Sequence, residues 1–221
     1  MVFQEPMTAL NPVYTIGDQI SEVTMVHQNL SRTAAKARAI ELLDLVRFPA
    51  PHKRSNAYPH QLSGGLRQRA MIAMALAGEP ALLIADEPTT ALDVTLQSQI
   101  VELFLELQSQ LKMAIQFISH DFAVISEIAD EVMVLYAGRP VEHASASVLF
   151  QNPRHPYTQG LLATVPRLGT YQRRLPTIRG QIPDLDTLPR GCPSLTALLD
   201  RASGRPGATL PNVCPLTLQR A

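Results

Sequence analysis

Residues 62–93 constrain the fold more than any other stretch, because three signals of phosphate chemistry follow one another there in a fixed order. The first is a glycine-rich polar turn that leads directly into a helix-favouring run at 66–77; it consists of Leu62, Ser63, Gly64 and Gly65. Hydroxyl and backbone N–H groups at a helix N-terminus are well placed to bind an anion. The turn is therefore a candidate phosphate contact.

The second signal is an apolar run at 81–85, which has the length and flanks of a buried strand. It ends in two adjacent carboxylates, Asp86 and Glu87, before Pro88 stops the strand. Because the chain turns at a strand end, both carboxylates can reach one site. We expect Asp86 to hold Mg²⁺, directly or through water, and Glu87 to polarise the water that attacks a γ-phosphate.

Taken singly, a Ser-Gly-Gly turn and an Asp-Glu pair are ordinary features of loops and strand ends. In this order and spacing they resemble the nucleotide-binding subunit of ABC transporters. The resemblance implies that residues 62–65 are the signature motif, residues 82–86 the Walker B strand and Glu87 the catalytic carboxylate. It also implies that the third signal, the loop that follows Pro88 and leads into the next helix, contains the D-loop at residues 91–93, which end in Asp93.

The resemblance implies an α/β fold: a P-loop NTPase-like ABC nucleotide-binding domain with an incomplete core sheet, a helical subdomain and a small proline-rich C-terminal extension. We expect five parts along the chain. They are a core strand end with the Q-loop (1–12), the helical subdomain with the signature (13–77), the rest of the RecA-like core (78–142), a peptide-importer extension (143–193) and an atypical, frameshifted or disordered tail (194–221).

Two further polar residues follow predicted strands. Gln4 comes after Met1-Val2-Phe3, and His120 comes after a β-rich run at 114–118. Standing alone, the first would be solvated surface and the second a structural histidine. By resemblance Gln4 is the Q-loop residue that reaches the metal and the attacking water, and His120 is the switch histidine that contacts the γ-phosphate.

Helical patterns dominate residues 13–58. Ser31 is a suitable cap for a helix whose apolar face comprises Ile40, Leu43 and Val46. Pro49 and Pro51 are expected to end that helix.

Helical spacing returns after the D-loop, where the apolar stripe comprises Leu96, Ile100, Leu103, Phe104, Leu107 and Leu111. We expect this face to pack on the sheet. A short helix at 122–130 and a hairpin at 131–142, turned by Ala137 and Gly138, complete the predicted elements.

The segments 149–162 and 175–193 carry a subclass signal. Chemically, the first is a proline-bounded loop that enters a helix, in which His155 and Tyr157 are expected to be packing and capping groups. By resemblance both segments form the His-Pro-Tyr extension of ATP-binding subunits that energise uptake of oligopeptides, dipeptides, nickel and related small solutes.

A Walker A loop needs a glycine-rich turn and a lysine that reaches the β- and γ-phosphates. The lysines of this sequence are Lys36, Lys53 and Lys112, and none follows a glycine. We therefore expect a truncated chain, or one whose start lies at an internal methionine, rather than a protein that never had the loop. Alone, the chain is expected to be inactive.

Relatives often carry a four-cysteine cluster after the Gly-Cys-Pro phrase. Cys192 and Cys214 alone do not complete a tetrahedral site, so no iron–sulfur cluster is expected. A frameshift near Pro193 is our hypothesis for this difference.

Composition narrows the class of protein. A hydrophobic content of 46% and a charged content of 17% are typical of a globular chain. No apolar run approaches the roughly 20 residues that span a bilayer. The excess of positive charge after residue 142 is spread over a proline-rich segment without interleaved aromatic residues, so no nucleic-acid partner is expected.

The sequence thus predicts the ATP-hydrolysing subunit of an ABC importer, which uses ATP and Mg²⁺. Expected partners are a second nucleotide-binding subunit in a head-to-tail dimer, membrane permease subunits and, indirectly, an extracytoplasmic solute-binding protein. This places the chain at the cytoplasmic face of the membrane. Two alternatives stay open: a non-catalytic half that completes a partner's ATP site, and a soluble ABC ATPase of DNA repair or translation.

Overall fold

The structure is a computed structural model, and it describes residues 1–90 and 92–164. The chain divides into two compact units, Met1–Val124 and Ile125–Ala221. Both contain helices and strands, in agreement with the predicted α/β class. The five-part division predicted from the sequence stays a prediction.

The first half of the first unit is helical. Its elements are α1 (Pro6–Ala9), α2 (Ile16–Gln28), α3 (Arg32–Leu45), α4 (Pro51–Arg54), a 3₁₀ turn (Pro59–Gln61) and α5 (Gly64–Leu76). The predicted cap is confirmed, because the Ser31 hydroxyl accepts a hydrogen bond from the Ala34 N–H at 3.3 Å. Helix α5 begins at Gly64, two residues before the predicted start.

The buried face of α3 differs in part from the prediction. Leu43 and Val46 are buried as expected, but Ile40 is only half-buried. Ala35 and Ala39 take the central positions instead, because small side chains let α2 and α5 approach closely. Pro51 also differs from expectation: α3 has already ended at Leu45, and this proline begins α4, where its missing N–H costs nothing.

The second half of the first unit holds a parallel pair of strands, β1 (Leu82–Asp86) and β2 (Ala114–Ile118). The predicted end of a strand at the N-terminus is present as a single bridge, in which Val2 pairs with Ala85. The predicted strand is present, but only alternate residues of β1 are buried, and Leu82 is 50% exposed.

Helix α6 (Val94–Leu111) packs against the sheet as predicted, through an edge-to-face contact of Phe104 with Phe117 at a centroid distance of 5.5 Å. Its buried residues are Ile100, Val101, Leu103, Phe104 and Leu107. Leu111 was expected in this face but is 45% exposed, because it is the last residue of the helix. Helix α7 (Phe122–Ile128) follows β2.

The described part of the second unit contains a hairpin of β3 (Glu131–Tyr136) and β4 (Arg139–Ser145), then α8 (Ala146–Gln151) and α9 (Pro156–Thr164). The predicted turn is confirmed: Ala137 and Gly138 both have positive φ angles, 48° and 72°. Val132, Val134 and Leu149 form the core of this unit.

The helices within residues 1–90 and 92–164 include none that is long and apolar enough to cross a bilayer. The predicted extension beyond residue 164, Cys192, Cys214 and the tail at 194–221 lie outside the described residues.

Candidate functional site

Three residues that are far apart in the sequence meet at the carboxyl end of the parallel strands. Gln4 Nε2 donates a hydrogen bond to Glu87 Oε2 at 2.8 Å. On the other carboxylate oxygen, His120 Nδ1 lies 3.2 Å from Glu87 Oε1. Parallel pairing explains this convergence, because Val2, β1 and β2 all point the same way and their carboxyl ends share one edge.

The backbone of Glu87 fixes the position of its side chain. Its φ angle is 44°, in the left-handed region that residues other than glycine rarely occupy. The Glu87 N–H donates to the Ile118 carbonyl at 3.0 Å, and the Glu87 carbonyl accepts from the Thr90 N–H at 3.1 Å. These bonds tie the turn after β1 to the end of β2, and strain of this kind is common at functional sites.

The pKa of Glu87 is held below the usual value for a carboxyl group. The main cause is the hydrogen bond with His120, followed by that with the Thr90 hydroxyl, while partial burial opposes both; Gln4 adds a smaller effect. Glu87 is therefore ionised at neutral pH and is a hydrogen-bond acceptor. An ionised carboxylate in a fixed position can polarise a water molecule.

Asp86 is the last residue of β1 and is half-buried. Its N–H donates to the Val2 carbonyl at 2.9 Å, which fixes its backbone beside that of Glu87. The carboxylate of Asp86 and the amide of Gln4 offer oxygen atoms, the ligand type that Mg²⁺ prefers. Among residues 1–90 and 92–164 no three His, Cys, Asp or Glu side chains group as a metal cage.

The signature residues have contrasting environments. Leu62 and Gly65 are buried, whereas Ser63 and Gly64 are exposed at the start of α5. The Ser63 side chain makes no cap hydrogen bond, so its hydroxyl is available to a ligand. Within the described ranges, none of the hydrogen bonds joins this turn to Glu87, Gln4 or His120. The structure thus brings three predicted site residues together, and in the described ranges none of them is hydrogen-bonded to the signature turn.

Asp93 lies at the N-terminus of α6. Its carboxylate accepts a hydrogen bond from the Leu96 N–H at 2.9 Å and so caps that helix. The α6 segment also contacts the signature turn, because a Cβ on Gly65 would lie 3.3 Å from both methyl groups of Leu96. The start of α6 and the signature turn are therefore in contact.

One residue of the site was not singled out by the sequence analysis. The Thr90 hydroxyl donates to Glu87 Oε2 at 3.0 Å, so it shares this oxygen with Gln4. In the sequence Thr90 is simply part of a loop after Pro88. The available signal was a hydroxyl three residues after a carboxylate, across a turn.

The His-Pro-Tyr segment has the structural role predicted from the sequence. His155 is buried, and its Nδ1 accepts from the Tyr157 N–H at 3.2 Å at the start of α9. The Tyr157 ring packs edge-to-face on Tyr136 at 4.6 Å. Glu142 accepts hydrogen bonds from the backbone N–H groups of Arg154 and His155. The prediction that His155 and Tyr157 are capping and packing groups is confirmed.

Comparisons with known proteins agree with this geometry. Residues 1–90 match the ABC transporter family, and residues 141–194 match the oligopeptide/dipeptide transporter C-terminal region. A Brucella melitensis protein named for peptide import and ATP binding is 57% identical over 198 residues, covering 87% of this chain and 59% of the relative. The oligopeptide transport ATP-binding protein OppD of Bacillus subtilis is 54% identical over 192 residues, covering 86% of this chain and 54% of OppD.

Among solved structures, the dimeric post-hydrolysis ATP-binding cassette MJ0796, bound to ADP and Pi, matches with a TM-score of 0.58 and 28% identity. The match covers 66% of this chain and 61% of that one. It confirms the predicted ABC nucleotide-binding fold, although the chain spans less than two thirds of each of these proteins. The chain belongs to the family of ABC transporter ATP-binding proteins, and it carries the C-terminal region of the oligopeptide/dipeptide branch.

Proposed function

We propose that this chain is part of the ATP-hydrolysing subunit of an ABC importer for oligopeptides, dipeptides or related small solutes. The observation that carries the proposal is the ionised Glu87 carboxylate, which Gln4 and His120 hold at the end of the parallel strands. Membership of the family, with its peptide-transporter C-terminal region, supports this assignment.

Glu87 is the residue that polarises the attacking water. Its carboxylate is held from both sides by Gln4 and His120, and an acceptor that is already fixed in position lowers the reorganisation that the reaction requires. With Nδ1 of His120 directed at Glu87, Nε2 is the atom that remains to contact the γ-phosphate of ATP. Gln4 holds the carboxylate on the opposite side and reaches the attacking water.

Asp86 and Gln4 would hold the Mg²⁺ ion. When bound, such an ion neutralises charge on the β- and γ-phosphates. The phosphate-cradling loop itself has no counterpart in these 221 residues, so this chain contributes the Walker B strand, Q-loop and switch histidine of the site.

The signature turn contributes to a second site. Ser63 and Gly64 are exposed at a helix N-terminus, where backbone N–H groups and a free hydroxyl favour an anion. We assign this turn to the γ-phosphate bound by a second nucleotide-binding subunit, in a head-to-tail dimer. The dimeric state of the similar ATP-binding cassette supports this arrangement.

Permease subunits are the proposed membrane partners, with a solute-binding protein acting on the outer side. The side chains of Phe3 and Met7, which flank Gln4, are about half exposed and are available for such a contact. The subunit would then lie at the cytoplasmic face of the membrane, as a peripheral component.

One observation favours a second candidate: the signature turn is exposed at the start of α5, so it can complete a partner's site whether or not this chain binds nucleotide. A non-catalytic half would supply Ser63 and Gly65 to an intact partner and dock on a permease without binding nucleotide itself. An ABC ATPase of DNA repair or translation is disfavoured by the match of residues 141–194 to the peptide-transporter region.

The test compares ATP binding and hydrolysis by this chain with those of the longest product of the reading frame that contains it. We expect the longer product to hydrolyse ATP, Glu87→Gln to abolish turnover, and the exposed Glu22→Gln on α2 to leave it unchanged. If the reading frame holds no Walker A loop and the chain folds without binding ATP, the non-catalytic candidate replaces the proposal.

A further inference from the structure

We infer that Thr90 is a positioning residue for Glu87, an inference that rests on the hydrolysis proposed above. Its hydroxyl lies 3.0 Å from Glu87 Oε2, on the oxygen that also accepts the Gln4 amide. An ionised carboxylate can accept hydrogen bonds but cannot donate them, so the Thr90 hydroxyl is the donor. Thr90 thereby fixes the rotation of the carboxylate about its last side-chain bond.

The turn after β1 is built to bring Thr90 back onto Glu87. The Glu87 residue has a φ angle of 44°, and its carbonyl accepts the Thr90 N–H at 3.1 Å. Thr90 therefore contacts the same residue twice, through its backbone and through its side chain. Such a double contact makes the hydroxyl position depend on the turn rather than on a flexible side chain.

The other two partners of Glu87 come from separate segments. Gln4 precedes Glu87 by 83 positions, and His120 follows it by 33. When nucleotide binding or a partner subunit moves either segment, the bond from Thr90 keeps Oε2 in place, because it lies in the same turn. We therefore assign Thr90 the role of holding Glu87 while Gln4 and His120 engage substrate.

The variants separate the hydroxyl from the shape of the side chain. Thr90→Val removes the donor and keeps the volume, whereas Thr90→Ser keeps the donor. Thr90 is exposed, so neither change should unfold the chain. Thr95→Val is the matched control, because this threonine is also exposed and its hydroxyl has no hydrogen bond to Glu87 in the described residues.

The first measurement needs no catalytic activity. It is the carboxyl ¹³C resonance of Glu87 in the longer product of the reading frame, at neutral pH and without nucleotide, identified by its loss in Glu87→Gln. We expect Thr90→Val to shift this resonance, and Thr90→Ser and Thr95→Val to leave it near its original position. An unchanged resonance in Thr90→Val overturns the inference.

The second measurement is steady-state ATP hydrolysis by the longer product of the reading frame. We expect Thr90→Val to lower kcat by about ten-fold with an unchanged KM for ATP, and Thr90→Ser to restore the rate. Equal losses in Thr90→Val and Thr90→Ser overturn the positioning role. If the unmodified longer product does not hydrolyse ATP, the proposed function fails, and the role in hydrolysis fails with it, whatever the resonance shows.

Discussion

At the scale of single residues, the chemical state of a side chain depends on neighbours that the sequence places far away. Glu87 follows a strand and would be an ordinary surface carboxylate by itself. Its pKa falls because His120, Thr90 and Gln4 all hydrogen-bond to its ionised form. Two of these partners reach it only through the parallel pairing of Val2, β1 and β2.

His155 gives a prediction at the same scale. Burial lowers its pKa below the usual value near 6.5, and the neighbouring Glu142 only partly opposes this. The unfolded chain therefore binds a proton more readily than the folded one. The contribution of His155 to stability is therefore complete at pH values above the pKa of histidine in the unfolded chain. Below that pKa the free energy of unfolding declines as the pH falls, by at most about 1.4 kcal/mol per pH unit.

The measurement is the free energy of unfolding in urea between pH 7.5 and pH 5.5. We expect His155→Asn, which keeps an acceptor for the Tyr157 N–H, to reduce the loss of stability across this range. If the free energy of unfolding of His155→Asn changes with pH as steeply as that of the unmodified chain, the buried imidazole does not cause the pH dependence.

At the scale of elements, the signature turn packs against the start of α6 and the loop just before it, and Gly64 and Gly65 lie at this contact. A Cβ on Gly64 would lie 3.8 Å from Leu92, an ordinary contact, whereas one on Gly65 would lie 3.3 Å from Leu96. Because alanine favours a helix over glycine by roughly 0.5–1 kcal/mol, Gly64→Ala should be neutral or stabilising. Gly65→Ala should be less stable than Gly64→Ala in urea unfolding, and adding Leu96→Ala should reduce the difference between them.

The start of α6 gives a second prediction for this scale. Asp93→Ala removes the hydrogen bond to the Leu96 N–H and should lower the free energy of unfolding by about 1 kcal/mol. Asp93→Asn keeps an acceptor and should retain most of that stability. Equal losses in the two variants would indicate that the negative charge, and not the cap, stabilises the helix.

At the scale of the whole molecule, the parallel strands of the first unit are poorly covered. No residue of β2 is buried, and Leu82 and Ile118 are 50% and 40% exposed. Parallel sheets are normally covered on both faces, so the exposed faces of these strands contribute little to the stability of this chain. We expect the purified 221-residue chain to be poorly soluble or partly molten, with a broad thermal transition. A sharp, cooperative transition would contradict this.

The sequence alone determined most of the elements and supplied most of the residues that we propose for the site. Local chemistry specified the Ser31 cap, the helix after the Ser-Gly-Gly turn, the hairpin at Ala137 and Gly138, and the capping role of His155. These features depend on residues within a few positions of one another, and the order of the signature, strand and carboxylates was enough to indicate the family.

Only the tertiary structure decided which side chains meet. It joined Gln4, Thr90 and His120 on Glu87, buried Ala39 instead of Ile40, and left Leu82 exposed. Periodicity gives the faces of helices and strands, but burial depends on which neighbours cover each face, and side-chain hydrogen bonds depend on contacts between distant segments. The contact of Thr90 with Glu87 is local, but it could not be predicted from the sequence, because it requires the left-handed backbone conformation of Glu87.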